Sequence, residues 1–181
     1  MPDLREQETS PILSSLFIQA VREGQTLWFR VASNSMFPLF QVDDTVSIAP
    51  ATVDMIRPGE IAAFETKNGL LIHRIIHCQQ NAQTIRLLQM SDVDLFASWV
   101  EAKSVVGKVI AVRKEGKQMN LAHPIAKWYG RIVATTRYQL YLRNSHTLLR
   151  LPWRGFSRLS LRLGYWCVRR ICVSPAPMPG K

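Results

Sequence analysis

Residues 61–77 read IAAFETKNGLLIHRIIH, and this stretch decides the fold. Two runs rich in apolar residues, Ile61–Glu65 and Leu70–His77, flank a short polar connection. The connection contains Asn68-Gly69, a pair that is common in the tight turn of a β-hairpin. The stretch therefore predicts two antiparallel strands joined by a hairpin.

Further short strands are predicted on both sides of this hairpin, with Gly, Pro and Asn residues between them. They are Thr26–Ala32, Val42–Ile48 (which begins with an acidic turn), Thr84–Met90 and Val105–Arg113. Strands of this length and spacing indicate a mainly β body built from antiparallel hairpins.

The charge is divided unevenly along the 181 residues. Met1–Glu115 carries 11 Lys/Arg and 13 Asp/Glu, whereas Gly116–Lys181 carries 12 Lys/Arg and no acidic residue. We predict three parts. The first is an N-terminal segment, residues 1–24, whose helix Pro11–Glu23 ends at Gly24. A β-rich body, residues 25–116, and a basic, aromatic-rich and partly helical extension, residues 117–181, follow it.

The basic extension suits an anionic partner. A helix with Lys/Arg on one side and Trp/Leu on the other fits a lipid surface, and Leu148–Val173 has this composition. Docking on an acidic protein and packing of the apolar residues on the β body are alternatives. Nucleic acid is the least favoured partner because no nucleic-acid-binding motif accompanies the charge. Ser174–Lys181 is Pro-rich and is expected to be frayed.

Composition predicts no metal and no cofactor. Cys78, Cys167 and Cys172 have neither metal-ligand nor redox spacing, and we expect them to be reduced. The acidic start of the chain is unlike a secretory signal, and no apolar run reaches the roughly 20 residues of a transmembrane helix. We expect a cytoplasmic protein, or one that is peripheral at a membrane surface.

A serine nucleophile is suggested by Ser33–Pro38, which reads SNSMFP. Ser35 lies between small or polar residues before a Met-x-Pro turn, which is a poor place for a core residue. A serine hydroxyl needs a base and a third group that orients the base. His73 follows downstream, and Asp92 and Asp94 come after it, in an order unlike that of trypsin or the α/β-hydrolases.

Four segments, taken in order between Val31 and Val112, resemble type I signal peptidases, a family that shares its fold with the LexA-like proteins. They are Ser33–Pro38 (the S-G-S-M-x-P box), Arg57–Phe64 (R-x-G-D-I-V-x-F), Leu71–Ile76 (the general-base segment) and Ser91-Asp92 with Val105–Val109 (the closing stretch). The resemblance implies a signal-peptidase/LexA-like catalytic domain over residues 25–116.

Histidine at the base position resembles the archaeal and endoplasmic-reticulum subtype, because the common bacterial enzymes and the LexA-like autoproteases have lysine there. The resemblance implies Ser35 as the nucleophile, His73 as the general base and Asp92 as the orienting carboxylate. The Ser35 backbone N–H and the Ser33 hydroxyl would then bind the oxyanion. A histidine with a pKa near 6.5 can accept a proton without desolvation, but its ring must be held in one tautomer.

Each of two roles has a rival. Asp94 could replace Asp92 as the acid. Strand alternation puts His73, Ile75 and His77 on one face, so His77 is the rival base.

Two residues depart from the family pattern, since Asn34 and Ser91 both stand where the family has glycine. We expect Asn34 to accept the turn because asparagine tolerates left-handed backbone angles. The resemblance as a whole implies a serine endopeptidase that cleaves an extended signal, leader or precursor peptide through an acyl-enzyme. A LexA-like self-cleaving regulator and a non-catalytic peptide- or membrane-binding module are the alternatives.

Overall fold

The computed structural model describes residues 11–81, 84–145 and 172–175. Residues 1–10 of the predicted N-terminal segment lie outside this part of the chain. So do nearly all of the basic run Leu148–Val173, including Cys167, and most of the Pro-rich end.

The described residues form one nine-stranded antiparallel sheet and two α-helices, which confirms the predicted mainly β class. The strands are β1 (Leu27–Arg30), β2 (Thr45–Pro50), β3 (Ile61–Thr66), β4 (Gly69–Gln80), β5 (Ile85–Met90), β6 (Ala97–Glu101), β7 (Val105–Lys114), β8 (Lys117–Asn120) and β9 (Val173–Pro175). The helices are α1 (Pro11–Arg22) and α2 (Pro124–Ser145). The strand order is β1-β2-β7-β3-β4-β5-β6, with β8 pairing to both β7 and β9.

The β3–β4 hairpin lies inside the sheet, because β7 covers the free edge of β3 and β5 covers that of β4. Its register pairs Thr66 with Gly69 and continues to Ile61 opposite Arg74. Gly69 takes a φ of +105°, a conformation that costs glycine little. This element was predicted from its sequence because its turn and its apolar pattern agree.

The sequence pattern did not predict β6 or β8, and Ser174 and Pro175, which were expected to be frayed, pair with β8 as part of β9. Neither β6 (ASWVE) nor β8 (KQMN) alternates clearly between apolar and polar residues. In the folded protein, the side chains of β6 are mostly half-buried, and in β8 only Met119 is buried. Both elements are strands because they pair with a strong neighbour, β5 or β7. Such pairing is a property of the folded sheet and not of the short segment itself.

Helix α2 packs against the sheet, so part of the basic extension belongs to the β body. Ala126, Tyr129, Val133 and Ala134 are buried at helical spacing along one face of the helix. Ala134 lies in an apolar cluster with Ile76 of β4 and with Leu88 and Met90 of β5.

A β-bulge in β4 separates the two histidines that the sequence placed on one face. The pairing of β4 with β5 shifts between Ile75 and His77. Ile75 packs in a cluster with Phe64 and Leu87, whereas His77 stacks on Tyr138 of α2 at 4.3 Å between ring centroids. His77 therefore faces α2, and the prediction that it shares a face with His73 and Ile75 is wrong. An extra residue in a strand reverses the faces of the residues that follow it.

Two glycines allow α2 to approach the turn before β3. A Cβ built on Gly59 would lie 2.6 Å from the backbone of Gly130 and of Arg131. A Cβ built on Gly130 would meet the carbonyl oxygen of Gly59 at 2.5 Å. These separations are well below van der Waals contact, so the distance between helix and turn depends on the absence of side chains.

We expect Gly59→Ala to destabilise the protein more than Gly24→Ala does. Both glycines have positive φ, of +100° and +104°, but a Cβ on Gly24 meets nothing within 4 Å. Backbone strain costs about 1–2 kcal/mol at either site, and overpacking against α2 adds about 1–3 kcal/mol at Gly59 alone. Urea denaturation of the two variants measures the difference, and equal losses would show that α2 does not lie against this turn.

Candidate active site

The loop between β1 and β2 carries Ser35 and is fixed at several points. Val31 N donates to Asp44 O at 2.8 Å, which closes the base of the loop. The Asn34 side-chain oxygen accepts a hydrogen bond from Val42 N at 3.0 Å. Met36 is fully buried in the core, which leaves the half-buried Ser35 at the surface.

Asn34 therefore serves the loop through its side chain. In the part of the chain that the structure describes, the residues other than glycine with positive φ are Asp43 and Glu115, so Asn34 does not use the left-handed conformation. The Oγ atoms of Ser33 and Ser35 lie 3.2 Å apart, within hydrogen-bond distance.

The segment after β5 holds the Ser35 backbone. The Ser35 carbonyl oxygen accepts hydrogen bonds from Asp92 N at 2.8 Å and from the Ser91 hydroxyl at 2.7 Å. The same Ser91 oxygen accepts from the backbone N–H groups of Val93 and Asp94. A glycine at position 91 could make none of these side-chain bonds.

Asp92 forms a buried ion pair with Arg74 of β4. Arg74 Nε donates to one carboxylate oxygen at 2.8 Å and Nη2 donates to the other at 2.6 Å, a bidentate arrangement. The side chains are 3% and 2% exposed. Burial alone would lower the pKa of Arg74, but the charge and hydrogen bonds of Asp92 more than offset burial and raise it. Arg74 Nη1 also donates to Gly59 O at 2.7 Å.

Arg137 of α2 holds the same segment from the other side. Its guanidinium donates to the carbonyl oxygens of Ser91 at 3.2 Å, of Asp94 at 2.6 Å, and of Asp92. The residue is 4% exposed, and burial lowers its pKa. We did not predict Arg137 from the sequence. The sequence does place Arg137 four residues after Val133 and eight after Tyr129, which puts it on the buried face of α2.

His73 lies half-buried on β4, next to Arg74 in the chain. Its Nδ1 is hydrogen-bonded to Oε1 of Gln89, a β5 residue that is 6% exposed. Burial lowers the pKa of His73 below 6.5, while the hydrogen bond to Gln89 and the charges of Asp92 and Asp94 act in the opposite direction.

The carboxylate of Asp92 is thus bound to Arg74, and Nδ1 of His73 contacts an amide instead. The predicted orienting contact between Asp92 and His73 is not the one that the structure shows. A buried guanidinium carries a large desolvation penalty unless a carboxylate neutralises its charge. The carboxylate of Asp92 therefore pairs with Arg74. Asp92 acts on His73 through its charge.

His77 and Asp94, the alternatives to His73 as base and to Asp92 as acid, have different surroundings. The His77 ring lies between Tyr138 of α2 and Trp99 of β6, with ring centroids at 4.3 and 6.1 Å. Asp94 is exposed, and its backbone carbonyl binds Arg137. The charge of Asp94 nevertheless contributes to the field at His73.

Asp92 connects the loop that carries Ser35 with β4, the strand that carries His73. Asp92 contacts the Ser35 carbonyl with its N–H and the Arg74 side chain with its carboxylate, and His73 precedes Arg74 in the chain. The catalytic roles of Ser35, His73, Ser33 and Asp92 stay predictions.

Residues 2–110 match the family model described as Peptidase S24-like. This match covers more than half of the chain, and the protein belongs to that family. The family supports a peptidase or LexA-like fold and the class of serine peptidases. A search of curated proteins found no match to the chain.

Two further observations concern the described residues. No group of three or more His, Cys, Asp and Glu side chains among them is arranged to hold a metal ion. In the same part of the chain, neither helix combines the length and the apolar character that crossing a bilayer requires.

The ion pair can be tested by removing one partner or both. We expect Asp92→Leu to lower the free energy of unfolding by about 3–5 kcal/mol, because it leaves the Arg74 charge buried and unpaired. Combining Asp92→Leu with Arg74→Met should restore part of this loss, since the unpaired Arg74 charge is then removed while Arg137 stays buried nearby. Chemical denaturation of the three variants measures the coupling, and a double variant as unstable as the sum of the single ones would contradict it.

Proposed function

We propose that this protein is a serine endopeptidase in which Ser35 is the nucleophile and His73 is the general base. The observation that carries the proposal is the pair of hydrogen bonds from Asp92 N and Ser91 Oγ to the Ser35 carbonyl. They fix the serine loop to the segment that also binds Arg74, the neighbour of His73. The family match and the half-exposed position of Ser35 are consistent with this role.

In the proposed reaction, the Ser35 hydroxyl attacks the carbonyl carbon of the scissile peptide bond while His73 accepts the hydroxyl proton. The Ser35 backbone N–H and the Ser33 hydroxyl stabilise the resulting oxyanion. The 3.2 Å separation of the two serine oxygens is consistent with this role of the Ser33 hydroxyl. His73 then protonates the leaving amine, and water hydrolyses the acyl-enzyme with the same histidine as base.

The proposed substrate is an extended peptide segment, such as a signal, leader or precursor sequence. Phe37 and Val93 are 39% and 40% exposed, and each lies one or two residues from a residue of the site. Apolar side chains around the serine favour a substrate that presents small or apolar residues, and an extended backbone can add to a sheet by main-chain hydrogen bonds.

Two other functions predict different outcomes of the same assay. A LexA-like self-cleaving regulator would cut its own chain at a rate independent of protein concentration. A non-catalytic binding module would bind peptides without cutting them. Mass spectrometry of the protein, incubated alone at several concentrations and then with a library of extended peptides, distinguishes all three.

The nucleophile and the base can be tested with a peptide-based acylating probe and a cleaved library peptide. We expect Ser35→Ala to abolish labelling, and His73→Gln to lower kcat/KM by roughly a thousandfold or more, because either change removes a group that acts in the transition state. His77→Phe preserves the stacking on Tyr138 and should leave kcat/KM nearly unchanged. Equal labelling of Ser35→Ala, or loss of activity in His77→Phe alone, would contradict the assignment.

We also propose that the basic region binds an anionic lipid surface. Trp128 and Ile132 are 65% and 43% exposed one turn apart on α2, and the exposed Lys127 and Arg131 flank them. An apolar stripe bordered by cations is typical of a helix that lies at a membrane interface.

Point substitutions test this better than truncation, because deleting α2 would also remove Arg137 from the site. We expect Trp128→Gln combined with Ile132→Gln to reduce sedimentation with vesicles that contain phosphatidylserine, and high salt to reduce it further. Thr135→Gln, at another exposed position of α2, is the matched control. Unchanged sedimentation of the double variant would exclude this surface.

A further inference from the structure

Three polar side chains form a row across β4, β5 and β6. His73 Nδ1 contacts Oε1 of Gln89, and Nε2 of Gln89 donates to the Ser98 hydroxyl at 2.5 Å. Gln89 and Ser98 are directly opposite in the β5–β6 register. Gln89 is also opposite Ile75, which lies two residues after His73 on β4. The row is therefore held by the pairing of three adjacent strands.

We propose that Gln89, itself oriented by Ser98, is the positioning residue of His73 and takes the place of the third member of a catalytic triad. Its amide oxygen accepts the Nδ1 proton, and this leaves the lone pair of Nε2 free to accept the proton of the nucleophile. The catalytic meaning of this role rests on the proposed peptidase function, but the contact itself does not.

The burial of position 89 favours an amide side chain there. Gln89 is 6% exposed, and a buried polar side chain must have both its donor and its acceptor satisfied. The Ser98 hydroxyl accepts from the amide nitrogen, and the amide oxygen faces the imidazole. A neutral imidazole has one N–H, so an oxygen acceptor at Nδ1 selects the tautomer in which Nδ1 carries the proton.

A neutral partner has a different electrostatic effect from a carboxylate. A carboxylate stabilises the imidazolium and raises the histidine pKa, whereas an amide gives a hydrogen bond without a full charge. The charged groups whose fields raise the pKa of His73 are Asp92 and Asp94, and Asp92 is already paired with Arg74. Burial prevails over them and lowers the pKa of His73 below 6.5.

The lowered pKa of His73 sets the direction of the pH effect on activity. Because His73 holds its proton less tightly than a free histidine, the neutral base persists as the pH falls below 6.5. The acidic limb of the kcat/KM profile should therefore lie below pH 6.5. In the variant Gln89→Glu, which has nearly the same shape, a negative charge next to Nδ1 should move this limb upward by about one pH unit or more.

The tautomer is measured by nitrogen-15 NMR of the histidine rings in the full chain, which requires no activity. We expect Nδ1 of His73 to be protonated in the native protein at neutral pH. Gln89→Leu and, to a smaller extent, Ser98→Ala should shift the ring toward a mixture of tautomers. The His77 ring, which lies on the other face of the sheet, serves as the internal control and should not change.

Kinetics supply the second readout. We expect Gln89→Leu to lower kcat by about tenfold with little change in KM, because the imidazole loses its fixed orientation and also spends part of its time in the tautomer whose Nε2 carries the proton. A native ring protonated at Nε2, or unchanged His73 tautomers in Gln89→Leu, would overturn the proposal. Absence of peptide cleavage with the expected tautomers would instead refute the peptidase function and leave the positioning contact intact.

Discussion

The buried ion pair between Arg74 and Asp92 is the interaction on which the rest of the site depends. Its two side chains are 3% and 2% exposed, so either charge alone would carry a large desolvation penalty. The pair joins β4 to the segment after β5, and the backbone of that segment holds the Ser35 carbonyl. Because Arg74 also binds the Gly59 carbonyl, the turn before β3 belongs to the same network.

Two polar residues and one helix reinforce this arrangement. Asn34 and Ser91 each fix a loop through the side chain. Asn34 accepts a hydrogen bond from Val42 N, and Ser91 donates one to the Ser35 carbonyl. Arg137 reaches the same segment from α2, which begins after the last residue of the family match. Helix α2 is therefore part of the framework of the candidate site. The same helix also carries exposed basic residues, Lys127 and Arg131.

The environment of His73, the proposed general base, differs from that of a Ser-His-Asp triad in the partner of the imidazole. The aspartate that the sequence suggested neutralises an arginine, and a glutamine amide contacts the imidazole. An amide can fix a tautomer but cannot stabilise an imidazolium as a charge does. In the proposed mechanism, this arrangement favours a base that stays neutral in mildly acidic conditions, and the third residue contributes positioning and not charge.

The sequence by itself determined the strong elements. The β3–β4 hairpin, the strands β1, β2, β5 and β7, and helix α1 were predictable because turn residues and apolar periodicity agree within each segment. The partly helical character of the basic extension, which contains α2, was also expected. It also supplied Ser35 and His73 as candidates. Only the tertiary structure decided the strands β6 and β8, the bulge that sends His77 to the opposite face, and the partners of Asp92 and His73. Those depend on which strands become neighbours and on which buried charge needs a counter-charge, and neither is encoded in a local pattern.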